Sequence, residues 1–293
     1  MGFEVRDIRF SYGTNIVLRD LSINMEPGSF YGIVGPNGCG KTTLLDILVK
    51  NKEPETGTVK YNGRDLGKYT KKELARAVAL VPQDFYIHFA FTLEEIILMG
   101  RHPYVPRFSS PLPQDIEIVN AVMAETGIKK FAHRHVTDLS GGEKQRVVFA
   151  RALAQDTPVL ILDEATSNLD IKYTLDLLNI AKTRVMIEGK TVIAVMQNLN
   201  LAALYCDYLI FLKEGKIAAH GDIDAVFTEK NIRAVFGIES KVCFDPYSNS
   251  KRVVFRGGYS NKRKHCFSGI IDPVADNRLG LCRFQGHNRQ IRQ

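Results

Sequence analysis

The feature that most constrains this chain is a short loop, residues 35 to 42, that reads Gly-Pro-Asn-Gly-Cys-Gly-Lys-Thr. It fits the pattern G-x-x-x-x-G-K-[ST], follows the apolar run 30–34 and precedes the helix-like stretch 43–48. In that strand–loop–helix setting the pattern binds phosphate, because the glycines let backbone N–H groups turn inward and the helix start adds a positive dipole. The loop therefore predicts a nucleotide-binding α/β protein.

Three side chains of this loop have expected properties. Lys41 would reach the β- and γ-phosphates, and Thr42 would offer its hydroxyl to Mg²⁺. Cys39 lies beside Lys41 in the sequence, which favours a lowered thiol pKa. The simpler interpretation of Cys39 is a small side chain that fills a glycine-like slot.

A second acidic segment follows further along the chain. Residues 159–162 are apolar, and Asp163 and Glu164 come directly after them. A short apolar run of this kind indicates a buried parallel strand, with Asp163 at its carboxyl end. Asp163 would hold the Mg²⁺ shell, and Glu164 would orient or deprotonate the attacking water. By itself the segment also fits a strand that ends in solvated acids, but the phosphate loop upstream favours the catalytic interpretation.

With these motifs in place, the chain resembles the ATP-binding subunit of an ABC transporter from residue 3 to about 245. The landmarks of that family occur in order: an aromatic at Tyr12, Walker A at 35–43, a Q-loop glutamine at Gln83, the signature at 139–143, Walker B at 159–164 and a D-loop at 167–170. The resemblance implies a phosphate-loop (RecA-like) α/β core with an N-terminal antiparallel β region and an inserted helical subdomain at about 85–155.

The resemblance also assigns ligands to named residues. Tyr12 would stack on adenine, and Gln83 would join Thr42 and Asp163 around Mg²⁺ and touch the membrane partner. The residues expected to bind ATP are Tyr12, Gly35, Pro36, Asn37, Gly38, Cys39, Gly40, Lys41, Thr42, Thr43, Ser140, Gly141, Gly142 and Glu143. By this resemblance the signature residues bind the γ-phosphate held by a second copy, so ATP would join a head-to-tail homodimer. A capping box of Ser140 and Glu143 at a helix start is the plainer interpretation, and both can hold.

One position departs from the family pattern. Where the family usually has a histidine and an acid after the strand beyond Walker B, this chain has Gln197 and Asn198. Glutamine can donate a neutral hydrogen bond to the γ-phosphate, but it cannot relay a proton. Since Glu164 and Lys41 are retained, we expect an ATPase in which Gln197 takes part in catalysis and slows the chemical step. A non-hydrolysing, ATP-gated clamp is the alternative.

The type of transporter is indicated by residues 91–104, which resemble a segment of importers of iron–siderophore, haem and cobalamin. This implies transmembrane permease subunits as partners, a periplasmic or lipoprotein substrate-binding protein as an indirect partner, and a place at the cytoplasmic face of the membrane. Residues 83–99 would meet the permease. Manganese and zinc importers have a related segment. A soluble ABC ATPase acting on nucleic acid is a further alternative, disfavoured because the chain lacks the paired cassettes or long coiled coils usual there.

The charge is unevenly distributed along the chain. The net charge is +7, and residues 251–293 alone hold ten Lys or Arg and two Asp, a net of +8, so the first 250 residues sum to about −1. We expect an ABC nucleotide-binding domain over 1–240 and a basic, partly disordered extension over 241–293 that opens with a hairpin at 241–255. Anionic lipid or nucleic acid is the alternative contact of this tail. No apolar run reaches the roughly 18 residues of a membrane helix, and five scattered cysteines do not indicate disulfides.

Overall fold

The computed structural model describes residues 2–83, 85, 89–106, 109–167 and 169–256. The predicted features at Asp84, at Asn168 of the D-loop and in the basic tail 257–293 lie outside the described residues. The described strands are β1 (Phe3–Tyr12), β2 (Asn15–Met25), β3 (Phe30–Val34), β4 (Thr56–Tyr61), β5 (Arg64–Asp65), β6 (Val78–Val81), β7 (Val159–Asp163), β8 (Thr191–Val195), β9 (Tyr208–Lys213), β10 (Lys216–Asp222), β11 (Ser240–Asp245) and β12 (Ser250–Phe255). The described α-helices are α1 (Lys41–Leu48), α2 (Lys71–Ala77), α3 (Leu93–Leu98), α4 (Pro113–Glu125), α5 (Gly141–Ala154), α6 (Ile171–Glu188), α7 (Leu199–Tyr205), α8 (Ile223–Val226) and α9 (Glu229–Phe236). Short 3-10 helices cover Leu66–Lys68, Met99–Arg101, Lys129–Phe131 and Val136–Asp138.

The N-terminal region forms an antiparallel sheet in the order β2-β1-β4-β5. Along β1 the apolar residues Phe3, Val5 and Ile8 are buried, and a register shift between Val5 and Ile8 marks an irregularity in the pairing with β2. The buried face of this sheet joins the hydrophobic cluster that also contains α1. The predicted N-terminal antiparallel β region is therefore confirmed.

The central sheet has the strand order β10-β9-β3-β8-β7-β6. Along this order β9, β3, β8, β7 and β6 are parallel to one another, whereas β10 is antiparallel to β9. β3, β7 and β8 are buried along their whole length, as the apolar runs predict. Alternate residues of the sheet enter two hydrophobic clusters, one with the N-terminal sheet and α1, the other with α3 to α7. Since the strands are parallel, the carboxyl ends of β3, β6, β7 and β8 meet at one edge.

The segment predicted as helical, 85–155, contains α3, α4 and α5, which pack on one another. Two features of its middle explain the packing. A Cβ on Gly100 would lie 2.3 Å from the carbonyl oxygen of Arg151, so only glycine lets the backbone approach α5 this closely. Arg101 and Asp115 form a buried ion pair at 2.8 Å, and Arg101 also donates to the carbonyl of Ala154.

The hairpin predicted at 241–255 is confirmed: β11 and β12 pair in antiparallel register. Val253 of β12 is 2% exposed and packs into the larger hydrophobic cluster. The compact unit of the chain is Met1–Arg256, so it includes this hairpin and continues beyond residue 240. None of the described helices is long and apolar enough to cross a membrane.

Candidate active site

The phosphate-loop segment joins β3 to α1, as predicted. Two of its glycines are required by geometry. A Cβ on Gly35 would lie 2.1 Å from the carbonyl oxygen of Leu212 in β9, and Gly40, which precedes α1, has φ +104°. No side chain caps the start of α1 in the described structure. The first N–H groups of this helix therefore have no side-chain acceptor of the chain's own.

Lys41, the first residue of α1, brings a buried positive charge into the loop. Its Nζ donates to the carbonyl of Gly35 at 3.0 Å and to that of Pro36 at 2.9 Å. The ammonium thus bridges the loop from inside, where little water competes with an incoming anion. A positive charge, inward-facing loop and uncapped helix start together suit a polyphosphate.

Thr42 and Asp163 form the part of the site that would hold a cation. The Thr42 hydroxyl donates to Asp163 Oδ1 at 3.2 Å. Asp163 is 5% exposed at the end of β7. Burial raises the pKa of Asp163 to about 6, and the neighbouring charge of Glu164 adds to the rise, while the Thr42 hydrogen bond opposes it. Burial also outweighs the opposing charge of Lys41, and a divalent cation would supply further positive charge to this carboxylate.

The donor set decides which cation fits. Among the described residues there is no group of three or more His, Cys, Asp or Glu that would form a protein cage for a metal. One carboxylate and one hydroxyl beside a phosphate loop match Mg²⁺, which keeps several waters and uses phosphate oxygens for the rest of its shell. The residues present therefore fit Mg²⁺ bound together with a nucleotide.

Glu164 is the centre of a hydrogen-bonded group of three side chains. Its Oε2 accepts from Gln83 Nε2 at 3.1 Å and from Gln197 Nε2 at 2.5 Å. Gln83 follows β6 and Gln197 follows β8, the two strands that flank β7. Glu164 itself is 8% exposed and has a left-handed backbone with φ 47°, a conformation costly for a non-glycine residue. Two amides from neighbouring strands therefore hold one carboxylate in place.

The sequence did not predict this group as a unit. Gln83, Glu164 and Gln197 were each assigned through separate motifs, and their mutual bonding depends on which strands are neighbours. Strand order is set by tertiary packing, which no local pattern encodes. The signal that was available is that all three lie within two residues of the end of a short apolar run. The predicted contact of Gln197 with the γ-phosphate stays a prediction.

Asn198 has a structural role that sequence analysis missed. It is the N-cap of α7, where its Oδ1 accepts from the N–H groups of Asn200 and Leu201 at 2.9 and 3.2 Å. Asparagine and aspartate are about equally good at this position. The change from the usual acid to Asn198 therefore conserves the cap and alters the charge next to Gln197.

Tyr12, predicted to stack on adenine, ends β1 with its ring 50% exposed. Phe10 packs against the ring edge-on at 5.0 Å between centroids, and the Lys52 ammonium lies 5.5 Å from the ring centre. The ring is thus held on one side and open to a stacking partner on another. The adenine contact remains a prediction.

The predicted signature begins α5 and forms the capping box that was the plainer interpretation. Ser140 Oγ accepts from the N–H of Glu143 at 3.3 Å, and Glu143 Oε2 accepts from the N–H of Ser140 at 2.9 Å. These bonds to Ser140 hold the pKa of Glu143 below its usual value. Among the described residues, the side-chain bonds of this pair run to each other and to Arg134, and none reaches the phosphate loop.

Gly141, inside the signature, has no packing reason within this chain. A Cβ there would meet no other atom within 4 Å, and its φ is not in the left-handed region. Gly141 is exposed at the start of α5, so the surface around it leaves room for another molecule to approach closely.

One expectation from the sequence is wrong, and one residue of the predicted permease face has a local role as well. The predicted lowering of the Cys39 pKa is wrong: burial raises the thiol pKa, and this outweighs the opposing charge of Lys41. The simpler interpretation, a small buried side chain, holds. Glu95, within the predicted permease face, accepts from the Thr92 N–H at 2.7 Å as the capping box of α3, so its carboxylate has a local partner.

Part of the importer-like segment 91–104 also has internal roles. Gly100 and Arg101 pack against α5 and Asp115, as described above. Tyr104 lies against the guanidinium of Arg101, 4.2 Å from its ring centre, and donates to the carbonyl of Asp156 at 3.3 Å. These residues hold the inserted helices to the core, and in the first half of the segment Leu93, Ile96 and Ile97 are also buried in the larger hydrophobic cluster.

Known proteins resemble the chain in sequence. A family model described as ABC transporter matches residues 18–167. The cobalamin import ATP-binding protein BtuD of Halobacterium salinarum is 40% identical over 241 residues, which are 82% of this chain and 60% of that protein. The ferric enterobactin transport ATP-binding protein FepC of Escherichia coli is 36% identical, over 84% of this chain and 91% of that protein. The chain thus spans about three-fifths of the length of the first relative and most of the second.

The fold resembles solved structures as well. The ATP-binding cassette MJ0796, in a dimeric post-hydrolysis state bound to ADP and Pi, superimposes with a TM-score of 0.67 at 26% identity, covering 75% of this chain and 98% of that one. This confirms the predicted fold class. The family match covers more than half of the chain, and the relatives are well above 30% identity. The chain therefore belongs to the ABC transporter family of ATP-binding proteins.

Proposed function

We propose that this chain is the ATP-hydrolysing subunit of an importer for an iron chelate (a siderophore or haem) or cobalamin. The observation that carries the proposal is the convergence of the phosphate loop, the Thr42–Asp163 pair and the Gln83–Glu164–Gln197 group at one edge of the sheet. The relatives named above import cobalamin or transport ferric enterobactin by name. That supports this cargo class over manganese or zinc, and transport over a role with nucleic acid.

The chain's own residues account for binding. Lys41 and the N–H groups of the loop and of α1 would neutralise the β- and γ-phosphates. Thr42 and Asp163, with Gln83 close by, would hold Mg²⁺, which supplies charge neutralisation of the phosphate oxygens when bound. Tyr12 would stack on adenine without contacting the base edge, so selectivity among purines would be weak.

The same residues account for hydrolysis. Glu164, which accepts hydrogen bonds from two amides, would orient a water molecule and accept its proton. Gln83 and Gln197 fix the position of this carboxylate from two neighbouring strands. Gln197 supplies no proton, so the reaction relies on Glu164 as the base and on Lys41 for charge stabilisation.

A second copy of the chain would complete the site. The signature at the start of α5 would contact the γ-phosphate bound by the partner copy, in a head-to-tail homodimer. The open surface around Gly141 supports this. Permease subunits would hold the dimer at the cytoplasmic face of the membrane, with a periplasmic or lipoprotein substrate-binding protein as an indirect partner.

The catalytic part of the proposal is tested by Glu164→Gln in the purified full chain. We expect ATP hydrolysis to fall by at least about a hundredfold, with ATP binding retained. Glu214→Gln is the matched control, because Glu214 is an exposed glutamate with a similar left-handed φ of 50°. Equal turnover in the two variants would refute the role of Glu164.

The importer part is tested first by co-purification of the chain with candidate permease subunits.

A charge reversal tests the predicted permease face. Glu94 is the cleaner probe of this face, since Glu95 caps α3. We expect Glu94→Lys to reduce permease-stimulated hydrolysis while basal hydrolysis is unchanged. Glu117→Lys, an equal charge reversal at an exposed position of α4, should leave both intact. Co-purification with nucleic acid instead of membrane subunits would contradict the proposal.

A further inference from the structure

The C-terminal hairpin touches the segment that carries Gln197. Asn200, in the first turn of α7, uses both ends of its side-chain amide on one residue of β12. Its Oδ1 accepts from the N–H of Val253 at 2.8 Å, and its Nδ2 donates to the carbonyl of Val253 at 3.3 Å. The amide thus makes the two backbone hydrogen bonds with Val253 that a neighbouring strand would make. The side chain of Val253 is buried.

The two bonds between Asn200 and Val253, called the clasp below, are connected by a short path to the Gln83–Glu164–Gln197 group. Asn198 caps α7 by accepting from the N–H of Asn200, and Gln197 is the residue before it. Gln197 in turn donates to Glu164. From Val253 to the Glu164 carboxylate the path therefore consists of hydrogen bonds and the four residues of one segment, 197–200.

The hairpin is fixed firmly enough to act as a support. Val253 packs in the larger hydrophobic cluster. On the β11 side, the N–H of Val242 donates to the Glu229 carboxylate of α9 at 3.0 Å. Beside the clasp, a cavity of 460 Å³ lies between Gln197 and Asn200 on one side and Phe236, Ile238 and Phe255 on the other. The segment 197–200 is therefore not packed from that direction, and it is held by the buried side chain of Leu199 and by the Asn200–Val253 bonds.

We propose that the hairpin β11–β12 positions the catalytic amide of Gln197, with Asn200 as the positioning residue. This rests on the proposed ATP hydrolysis and adds a region after residue 240 to the machinery that supports it. Without the clasp, Gln197 samples more positions and holds Glu164 less often. Asn200 does not touch the reacting atoms, so nucleotide binding is not affected.

Kinetics give the first test, on the full chain. A lost hydrogen bond of ordinary strength corresponds to roughly a fivefold effect. We expect Asn200→Ala to lower kcat for ATP by roughly that factor with KM unchanged. Asn231→Ala is the matched control, because Asn231 in α9 also donates from a half-buried side chain to a backbone carbonyl, that of Val226, away from the site. In a Gln197→Ala background, Asn200→Ala should have no further effect on kcat. A fall of the same size in that background, or an unchanged kcat in the folded single variant, overturns the proposal.

Hydrogen exchange gives a second test that needs no hydrolysis. We expect the amides of 196–201 to exchange faster in Asn200→Ala by roughly fivefold, and to be unchanged in Asn231→Ala. Unchanged exchange in both variants refutes the clasp. If the wild-type chain hydrolyses no ATP, the proposed function fails, and this measurement still decides whether the hairpin positions Gln197.

Discussion

Two helix starts in this protein resemble each other in sequence and differ in structure. α1 and α5 both begin after glycine-containing motifs that are expected to meet phosphate. α1 has no side-chain cap, and its first residue, Lys41, is buried with the ammonium held inside the loop. α5 is capped by its own Ser140 and Glu143, which bond to each other, and its first residue, Gly141, is exposed.

The difference indicates which of the two helix starts can bind an anion without a second copy of the chain. The start of α1 offers a charge and free N–H groups within one chain, so one copy suffices to hold a nucleotide. The start of α5 has satisfied its own groups and carries a nearby carboxylate, so it attracts phosphate weakly by itself. It becomes useful once a partner copy presents a nucleotide whose position is already fixed. The comparison thus predicts binding within one chain and completion of the site between two.

The largest effect is expected at the α1 side. Lys41→Ala should reduce ATP hydrolysis by about a hundred- to a thousandfold and weaken ATP binding, because it removes the buried charge of the loop. Lys50→Ala is a matched control: the Lys50 ammonium also donates to two carbonyls, those of Gly67 and Tyr69, at 2.7 and 2.9 Å. Normal turnover in Lys41→Ala would remove the phosphate-loop assignment.

The buried acid of the same region should appear in the pH dependence of stability. The pKa of Asp163 is raised to about 6 in the folded protein, so the folded state binds the proton more tightly and loses stability as pH rises from 4 to 6. Without metal, Asp163→Asn should be more stable than wild type by roughly 1–3 kcal/mol above pH 6.5, and by little at pH 4. Urea unfolding at both pH values measures this, and a gain independent of pH would contradict it.

At the α5 side the expected effect is smaller and of another kind. Ser140→Ala should cost about 1 kcal/mol of stability through the lost cap. Thr70→Ala removes the same type of capping box, with Glu73, at the start of α2, and should cost a similar amount. Only Ser140→Ala should also reduce hydrolysis, by about tenfold, since one donor to the shared phosphate is lost. If both variants keep full turnover, Ser140 serves as a cap alone.

At Gln197 the expected effect is a gain in rate instead of a loss. Gln197→His should raise kcat by up to about tenfold with little change in ATP affinity, because an imidazole stabilises developing charge better than an amide. Adding Asn198→Asp conserves the cap of α7 and restores the acid, and we expect the double variant to be faster still. Single-turnover hydrolysis separates these variants from wild type. Equal rates in all three would show that the amide does not limit chemistry.

The comparison of the two helix starts also separates what the sequence could predict from what it could not. The phosphate loop, the strand before Asp163 and the signature cap were predicted because their residues are neighbours in the chain. The bonds from Gln83 and Gln197 to Glu164 were not, since they follow from the order β6-β7-β8. The clasp between Asn200 and Val253 joins positions 53 residues apart, and nothing in either local pattern indicates it.

Burial was the other quantity that local sequence could not supply. Lys41 lies next to Cys39 and favours a lower thiol pKa, but desolvation outweighs this charge and raises it. Glu95 is acidic and near the predicted permease face, yet it caps α3. Arg101 and Tyr104 belong to an importer-like segment and pack internally. In each case the charge or the motif was correctly identified, and its environment decided its role.

The central claim, that the two helix starts of different copies share one nucleotide, is tested most directly by complementation. In the Glu164→Gln background, one chain carries Lys41→Ala and the other Ser140→Arg. Sedimentation in saturating Mg-ATP should show each variant alone as a monomer. The mixture should form dimers, since it contains one site with an intact loop and an intact signature. A parent Glu164→Gln chain that stays monomeric, a Ser140→Arg chain that dimerises alone, or a mixture that stays monomeric would contradict the account.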